Sequence, residues 1–157
     1  MTFLCAEALP DAAARQAIPV VLDTNVVLDW LVFQNPHCQP LVQALEAGQL
    51  RWLVTEAMRD ELAHVLGRGV LSNWAPDDTT LWSTWQRLSV SIPVPSALGT
   101  GHRLRCTDPD DQKFVDLALS SAQWLISRDR AVLKLARRAA AHGLQIATPE
   151  RWKSMHA

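Results

Sequence analysis

The sequence has few cysteines, no tyrosine and no large excess of either charge. Its 157 residues include 3 Cys with no Cys-x-x-Cys pair, which excludes a disulfide framework and a cysteine-rich zinc site and favours a reducing compartment. The 15 Lys and Arg nearly balance the 16 Asp and Glu. A uniformly basic coat for nucleic acid is therefore excluded, whereas a local basic patch is not.

Long apolar runs are also absent from the sequence. No run approaches the ~18 residues of a membrane-spanning helix. The first residues lack the basic and apolar segments of a signal peptide. We therefore expect a cytoplasmic protein with no membrane partner.

The sequence does contain a regular alternation of two patterns. After Pro19, short apolar runs typical of buried strands alternate with longer segments of helical periodicity. The predicted strands cover residues 20–22, 52–54, 90–94, 124–126 and 144–147. The predicted helices cover residues 25–33, 40–47, 55–66, 76–88, 109–122 and 130–142. This order predicts one α/β domain over residues 19–157, with a mostly parallel sheet flanked by helices on both faces, after an N-terminal extension over residues 1–18.

Two of the predicted strands are followed by aspartates. Asp23 comes directly after the first strand, and Asp129 comes shortly after the fourth. Because parallel strands bring their carboxyl ends to one edge of the sheet, where such folds bind ligands, both side chains are expected at that edge. An aspartate at a strand end is also a common helix cap. Two carboxylates at one edge, however, repel each other unless a cation or a proton relieves them.

A third acid is predicted on the helix over residues 55–66. Its apolar stripe consists of Met58, Leu62, Val65 and Leu66. At about 100° per residue, Glu61 falls at the border of this stripe, whereas Asp60 and Glu56 point away from it. The stripe therefore directs Glu61 towards the sheet, either as a partly buried acid at the edge of the core or as part of a site.

A run of acids, Asp-Pro-Asp-Asp over residues 108–111, opens the next helix. Acids in a first turn cap a helix and complement its dipole, which is sufficient to explain Asp108. Asp111 precedes Phe114 by three residues and so shares the inward face of the helix. Asp110 fits that face almost as well, and helical geometry alone does not separate the two.

Inward carboxylates from four elements make a pocket of hard oxygen ligands. Such a pocket suits Mg²⁺ or Mn²⁺, which use few protein carboxylates and bridge to phosphate oxygens. A cation held there can activate water and stabilise charge on a phosphoryl group. The pattern therefore predicts metal-dependent hydrolysis of phosphodiesters.

Four short motifs, taken in order, resemble those of PIN-domain ribonucleases. They are Val-Leu-Asp-Thr-Asn over residues 21–25, Thr55 with Glu61 six residues later, Asp-Pro-Asp-Asp over residues 108–111, and Ser-Arg-Asp over residues 127–129, where the family has Thr-x-Asp. The form of the third motif is typical of a bacterial subgroup described as toxins of toxin–antitoxin pairs. Order and spacing match over residues 19–148.

The resemblance implies a five-stranded parallel sheet, Mg²⁺ or Mn²⁺, cleavage of single-stranded RNA and a cognate antitoxin protein as partner. It implies that Asp111 is the third acid, with Asp110 beside it in a supporting place. It also implies that Asn25 and Ser127 support the acids through hydrogen bonds. The catalytic and metal-binding set is then Asp23, Glu61, Asp111 and Asp129.

Basic residues flank the predicted acids, where they are either ordinary surface charge or contacts to an RNA backbone. They are Arg103, Arg105, Lys113, Arg128 and Arg130. Trp82 and Trp85, three residues apart, fit a core, a homodimer face or a base-stacking platform.

Two other functions fit the same acids. One is aspartyl-phosphate chemistry at Asp23, as in phosphatases or receiver domains, although Asn25 stands where such phosphatases have a second Asp. The other is a catalytically silent PIN-like module that binds RNA.

Overall fold

The structure is a computed structural model that describes residues 17–95 and 104–155. The proposed N-terminal extension therefore lies almost entirely outside the described residues, and so does Arg103. The first strand begins at Ile18, one residue before the predicted start of the domain.

Five parallel strands form one sheet in the order β3-β2-β1-β4-β5, which confirms the predicted fold class. The strands are β1 Ile18–Leu22, β2 Leu50–Val54, β3 Ser89–Ser91, β4 Trp124–Ile126 and β5 Gln145–Ala147. The strand order reverses between β1 and β4. In sheets of this kind, the crevice beyond the carboxyl ends at such a reversal is the usual place for a ligand.

Helices cover the two faces of this sheet and connect its strands. They are α1 Thr24–Leu31, α2 Gln39–Glu46, α3 Glu56–Gly67, α4 Asp78–Leu88, α5 Gln112–Ser121, α6 Arg130–Leu133, α7 Ala136–Ala140 and α8 Pro149–Met155. Short 3-10 turns cover Pro36–Cys38, Ser72–Trp74 and Pro109–Asp111. In residues 17–95 and 104–155, no helix combines the length and the hydropathy that a membrane crossing requires.

Several elements differ in their bounds from the sequence prediction, and two of these differences have a clear physical reason. The helix predicted over residues 130–142 is divided into α6 and α7, because Leu135 N–H bonds the carbonyl of Val132 three residues back and tightens the chain there. Strand β3 is shorter than the predicted 90–94, since it lies at the sheet edge and pairs with β2 only over Trp52–Val54.

The core explains why the acids at the sheet edge hold fixed positions. Val20 and Val21 of β1 are both fully buried, so the central strand is covered on its two faces. Trp52 of β2 is also fully buried, and its ring lies 5.4 Å from that of Trp30 and 4.8 Å from that of Trp85. Trp85 is therefore a core residue, and Trp82, 5.8 Å from it, is half-buried against this cluster.

Candidate metal centre

Three aspartates converge beyond the carboxyl end of β4. Asp108, Asp111 and Asp129 each offer one carboxylate oxygen, and these oxygens lie within 4.8 Å of one another. We call these three residues the aspartate cluster. Local backbone geometry places two of them: Asp129 caps α6 by accepting the N–H of Ala131 at 2.8 Å, and Asp108 caps the following 3-10 turn by accepting the N–H of Asp110 at 3.0 Å.

Asp111 is the buried member of the aspartate cluster, with 8% of its surface exposed. Its Oδ2 is inaccessible to solvent and has no hydrogen-bond partner among the described residues. Burial, the adjacent Asp129 carboxyl and the charge of Asp23 raise the pKa of Asp111 to about 8. A buried carboxylate oxygen without a partner is costly, and a cation is one group that would satisfy it.

Asp23 stands at the end of β1, beside the aspartate cluster, and is 3% exposed. Its backbone N–H donates to the carbonyl of Ile126 at 2.9 Å, which extends the pairing of β1 with β4 beyond the strand ends. Burial raises the pKa of Asp23 to about 6 against the opposing effect of a hydrogen bond from Ser127, and the charges of Asp129 and Glu61 add to the rise.

Ser127 links two of the acids. Its hydroxyl donates to Oδ2 of Asp23 at 2.6 Å and accepts the backbone N–H of Asp129 at 3.0 Å. The side chain is fully buried, so this hydrogen bond is shielded from water. Ser127 therefore fixes the distance between the end of β1 and the loop that carries Asp129.

We expect Ser127→Ala to weaken the binding of Mn²⁺ about tenfold, because groups that orient metal ligands typically contribute this much. The substitution removes the donor to Asp23 while leaving the carboxylates in place. Titration calorimetry with Mn²⁺ measures the effect, with Ser83→Ala on the exposed surface of α4 as the matched control. An unchanged affinity in Ser127→Ala would contradict this role.

Asn25 and Arg128 secure the same loop from outside the cluster. The amide oxygen of Asn25 accepts the backbone N–H of Arg128 at 3.3 Å. The Arg128 guanidinium bonds Asp29 of α1 and reaches both oxygens of Glu150 in α8, at 3.0 and 2.5 Å. This side chain is thus engaged in ion pairs that join three elements.

Glu61 projects from α3 into the neighbourhood of Asp23, whose pKa its charge helps to raise. It is not a member of the aspartate cluster. Its Oε2 accepts the hydroxyl hydrogen of Thr24, and its Oε1 forms an ion pair with the ammonium of Lys113 at 2.7 Å. The pocket therefore has two parts, the aspartate cluster and the Glu61–Lys113 pair, with Asp23 close to both.

The sequence predicts only a capping role for Asp108, whereas the structure gives it that role and a place in the cluster as well. The sequence signal was its spacing: one 3-10 turn has about three residues, so Asp108 and Asp111 lie on the same side of it. Asp110, between them, is exposed. Among the predicted RNA-contacting residues, Arg105 and Arg130 are exposed, whereas Lys113 and Arg128 are in ion pairs.

Partly buried carboxylates at the switch point of a parallel α/β sheet are a set of ligands that can hold a divalent cation. A family model described as PIN domain matches residues 19–131. The chain therefore belongs to the PIN domain family, whose members are generally nucleases with metal-binding acidic residues. No curated protein and no solved structure matches the chain.

The residues of this chain fit the cation that the family implies. All the donors of the aspartate cluster are carboxylate oxygens, which are the ligands of hard divalent ions. The Oδ2 of Asp111, which has no partner in the described part of the chain, supplies an independent sign, because such a buried oxygen requires positive charge or a proton.

Proposed function

We propose that this protein is a metal-dependent endoribonuclease that hydrolyses phosphodiester bonds of single-stranded RNA. The observation that carries the proposal is the buried carboxylate oxygen of Asp111 inside the aspartate cluster, which no described residue contacts through a hydrogen bond. Membership of a family of nucleases supports the reaction class. The resemblance of residues 108–111 to the bacterial toxin subgroup supports the finer assignment, a toxin held in check by a cognate antitoxin.

Asp108, Asp111 and Asp129 would hold the ion, Mg²⁺ or Mn²⁺, and Asp23 and Glu61 add negative charge to the same pocket. When bound, such a cation polarises a phosphoryl oxygen and makes water a nucleophile at neutral pH. The chain itself supplies position: Ser127 fixes Asp23 relative to Asp129, and Asn25 holds the backbone next to Asp129.

The RNA backbone would be held by cations close to the acids. Arg130 directly follows Asp129, and Arg105 lies three residues before Asp108, and both are exposed. Arg103 belongs to the same proposal from the sequence. Phosphate contacts of this kind supply affinity without reading base sequence, so we expect binding that weakens steeply as salt rises.

The deciding experiment incubates the full chain with end-labelled single-stranded RNA and with a duplex of the same sequence, in Mn²⁺, in Mg²⁺ and in EDTA. We expect internal cleavage of the single strand in either ion and none in EDTA. Full activity in EDTA would overturn the proposal. Binding of RNA without cleavage in any ion would favour a catalytically silent module instead.

The same protein sample tests the aspartyl-phosphate alternative. Beryllofluoride mimics a phosphoryl group on an aspartate, so stable capture at Asp23 would favour phosphatase or receiver chemistry. We expect no capture, because Oδ2 of Asp23 is buried and bonded to Ser127.

Co-purification of the chain with the product of a small adjacent gene would test the antitoxin proposal, and the mass of that complex would show whether a homodimer is present.

A further inference from the structure

The ammonium of Lys113 is held firmly at the edge of the acidic pocket. Lys113 is the second residue of α5, two positions after Asp111. Its Nζ lies 2.7 Å from Oε1 of Glu61, 2.8 Å from the carbonyl oxygen of Asp110 and 5.2 Å from the centre of the Phe114 ring. Two hydrogen bonds and a cation–π contact thus fix one positive charge at a defined point.

The Lys113 ammonium pairs with one of the acids in the pocket, Glu61. The aspartate cluster carries three carboxylates within reach of one ion and includes a buried oxygen with no partner among the described residues. Glu61, which is not a member of the cluster, has both carboxylate oxygens engaged, one by Lys113 and the other by Thr24. The Glu61 and Lys113 side chains are 26% and 31% exposed, so water screens their attraction only partly.

We propose that the Lys113 ammonium occupies the role of a second divalent cation, so that this protein binds a single catalytic ion. The inference rests on the proposed function for the existence of that ion. Two-metal sites hold their ions about 3.5–4 Å apart, between carboxylates that both ions share. A second ion at Glu61 would have to displace an ammonium 2.7 Å from its ligand, against the repulsion of like charges.

The role of Lys113 is one of charge placement. Its ammonium forms an ion pair with Glu61 and donates a hydrogen bond to the carbonyl of Asp110. Asp110 and Lys113 flank Asp111 in sequence, so the same contacts help to fix the turn that presents Asp111 to the aspartate cluster. Lys113 is therefore a positioning residue with a fixed positive charge.

The test counts bound Mn²⁺ directly, without measuring cleavage. Titration calorimetry and the electron paramagnetic resonance of free Mn²⁺ give the stoichiometry for the metal-stripped full chain, for Lys113→Met and for Lys134→Met, an exposed lysine between α6 and α7. We expect one ion in the wild type and in Lys134→Met. We expect two ions in Lys113→Met, with the second one dependent on Glu61.

Each result bears on a different claim. Two ions in the wild type, or one ion in both the wild type and Lys113→Met, would overturn the proposal for Lys113 and leave the nuclease proposal standing. No bound ion in the wild type would contradict the proposed function itself. Lys113→Gln, which keeps a polar group near Glu61, provides a second neutral variant, and thermal melting of each variant confirms that it is folded before ions are counted.

Discussion

Asp111→Asn is expected to lower the Mn²⁺-dependent cleavage of single-stranded RNA by at least about a hundredfold. Loss of a group that only orients a metal ligand already costs 10–100-fold, and Asp111 is itself a proposed ligand. Its Oδ2 is buried and has no hydrogen-bond partner within residues 17–95 and 104–155. The side chain of Asn has nearly the same shape, so the loss of rate would reflect chemistry and not a collapsed fold.

The matched control for this variant is Asp110→Asn. Asp110 is the immediate neighbour of Asp111, has the same side chain and lies in the same 3-10 turn, but it is exposed. We expect its rate to stay within about threefold of wild type, the scale of ordinary surface substitutions. Initial rates over a range of Mn²⁺ concentrations separate a loss of ion affinity from a loss of turnover. Equal losses of rate in the two variants would show that Asp111 matters no more for cleavage than its exposed neighbour. This result would contradict the role of Asp111 as a metal ligand.

Asp23 and Asp129 were predictable from the sequence because their positions follow from strand ends. Buried parallel strands are nearly continuous apolar runs, so Val20–Leu22 and Trp124–Ile126 can be identified without knowledge of the fold. Once these strands are parallel neighbours, the residues that follow them must lie at one edge of the sheet. The helical periodicity of residues 55–66 likewise predicts that Glu61 faces the sheet.

The same reasoning does not predict which charged side chains form ion pairs with each other. Lys113 and Glu61 are 52 positions apart, and Arg128 and Asp29 are 99 apart. Charged side chains of this length can reach several partners, and the choice among them depends on packing that periodicity does not encode. The sequence therefore predicts where the acids lie, but not that Glu61 forms an ion pair with Lys113.

The short C-terminal helix α8 illustrates the same limit. None of the helices predicted from the sequence covers the residues from Pro149 onward, whereas the structure has a helix, Pro149–Met155, with Trp152 buried at 4% exposure. Glu150 of this helix engages the guanidinium of Arg128 through both oxygens. Because Arg128 lies between Ser127 and Asp129, this ion pair links α8 to the loop that carries Asp129.

A second large effect is expected in the stability of the metal-free protein. Asp23 and Asp111 have pKa values of about 6 and about 8, above the usual 3.8 of an aspartate, chiefly because they are buried. The folded state therefore keeps protons that the unfolded chain releases near pH 4. The stabilising contribution of these protons is complete below about pH 4, declines as the pH rises through 6, and is gone above about pH 8.

We therefore expect the melting temperature of the EDTA-treated protein to fall by about 5 °C between about pH 5 and pH 9, or ~2 kcal/mol for a domain of this size. The lowered pKa values of Glu46, Asp77 and Glu150 place their own titrations below this window.

Asp111→Asn should melt at a higher temperature than the wild type at the alkaline end and lose most of the pH dependence, since it carries no charge to repel Asp23. Mn²⁺ should restore the wild type at high pH but have a smaller effect on this variant. Equal slopes in the two metal-free proteins would show that the pKa of Asp111 is not raised above the usual range of an aspartate, and the case for a cation beside it would then fail.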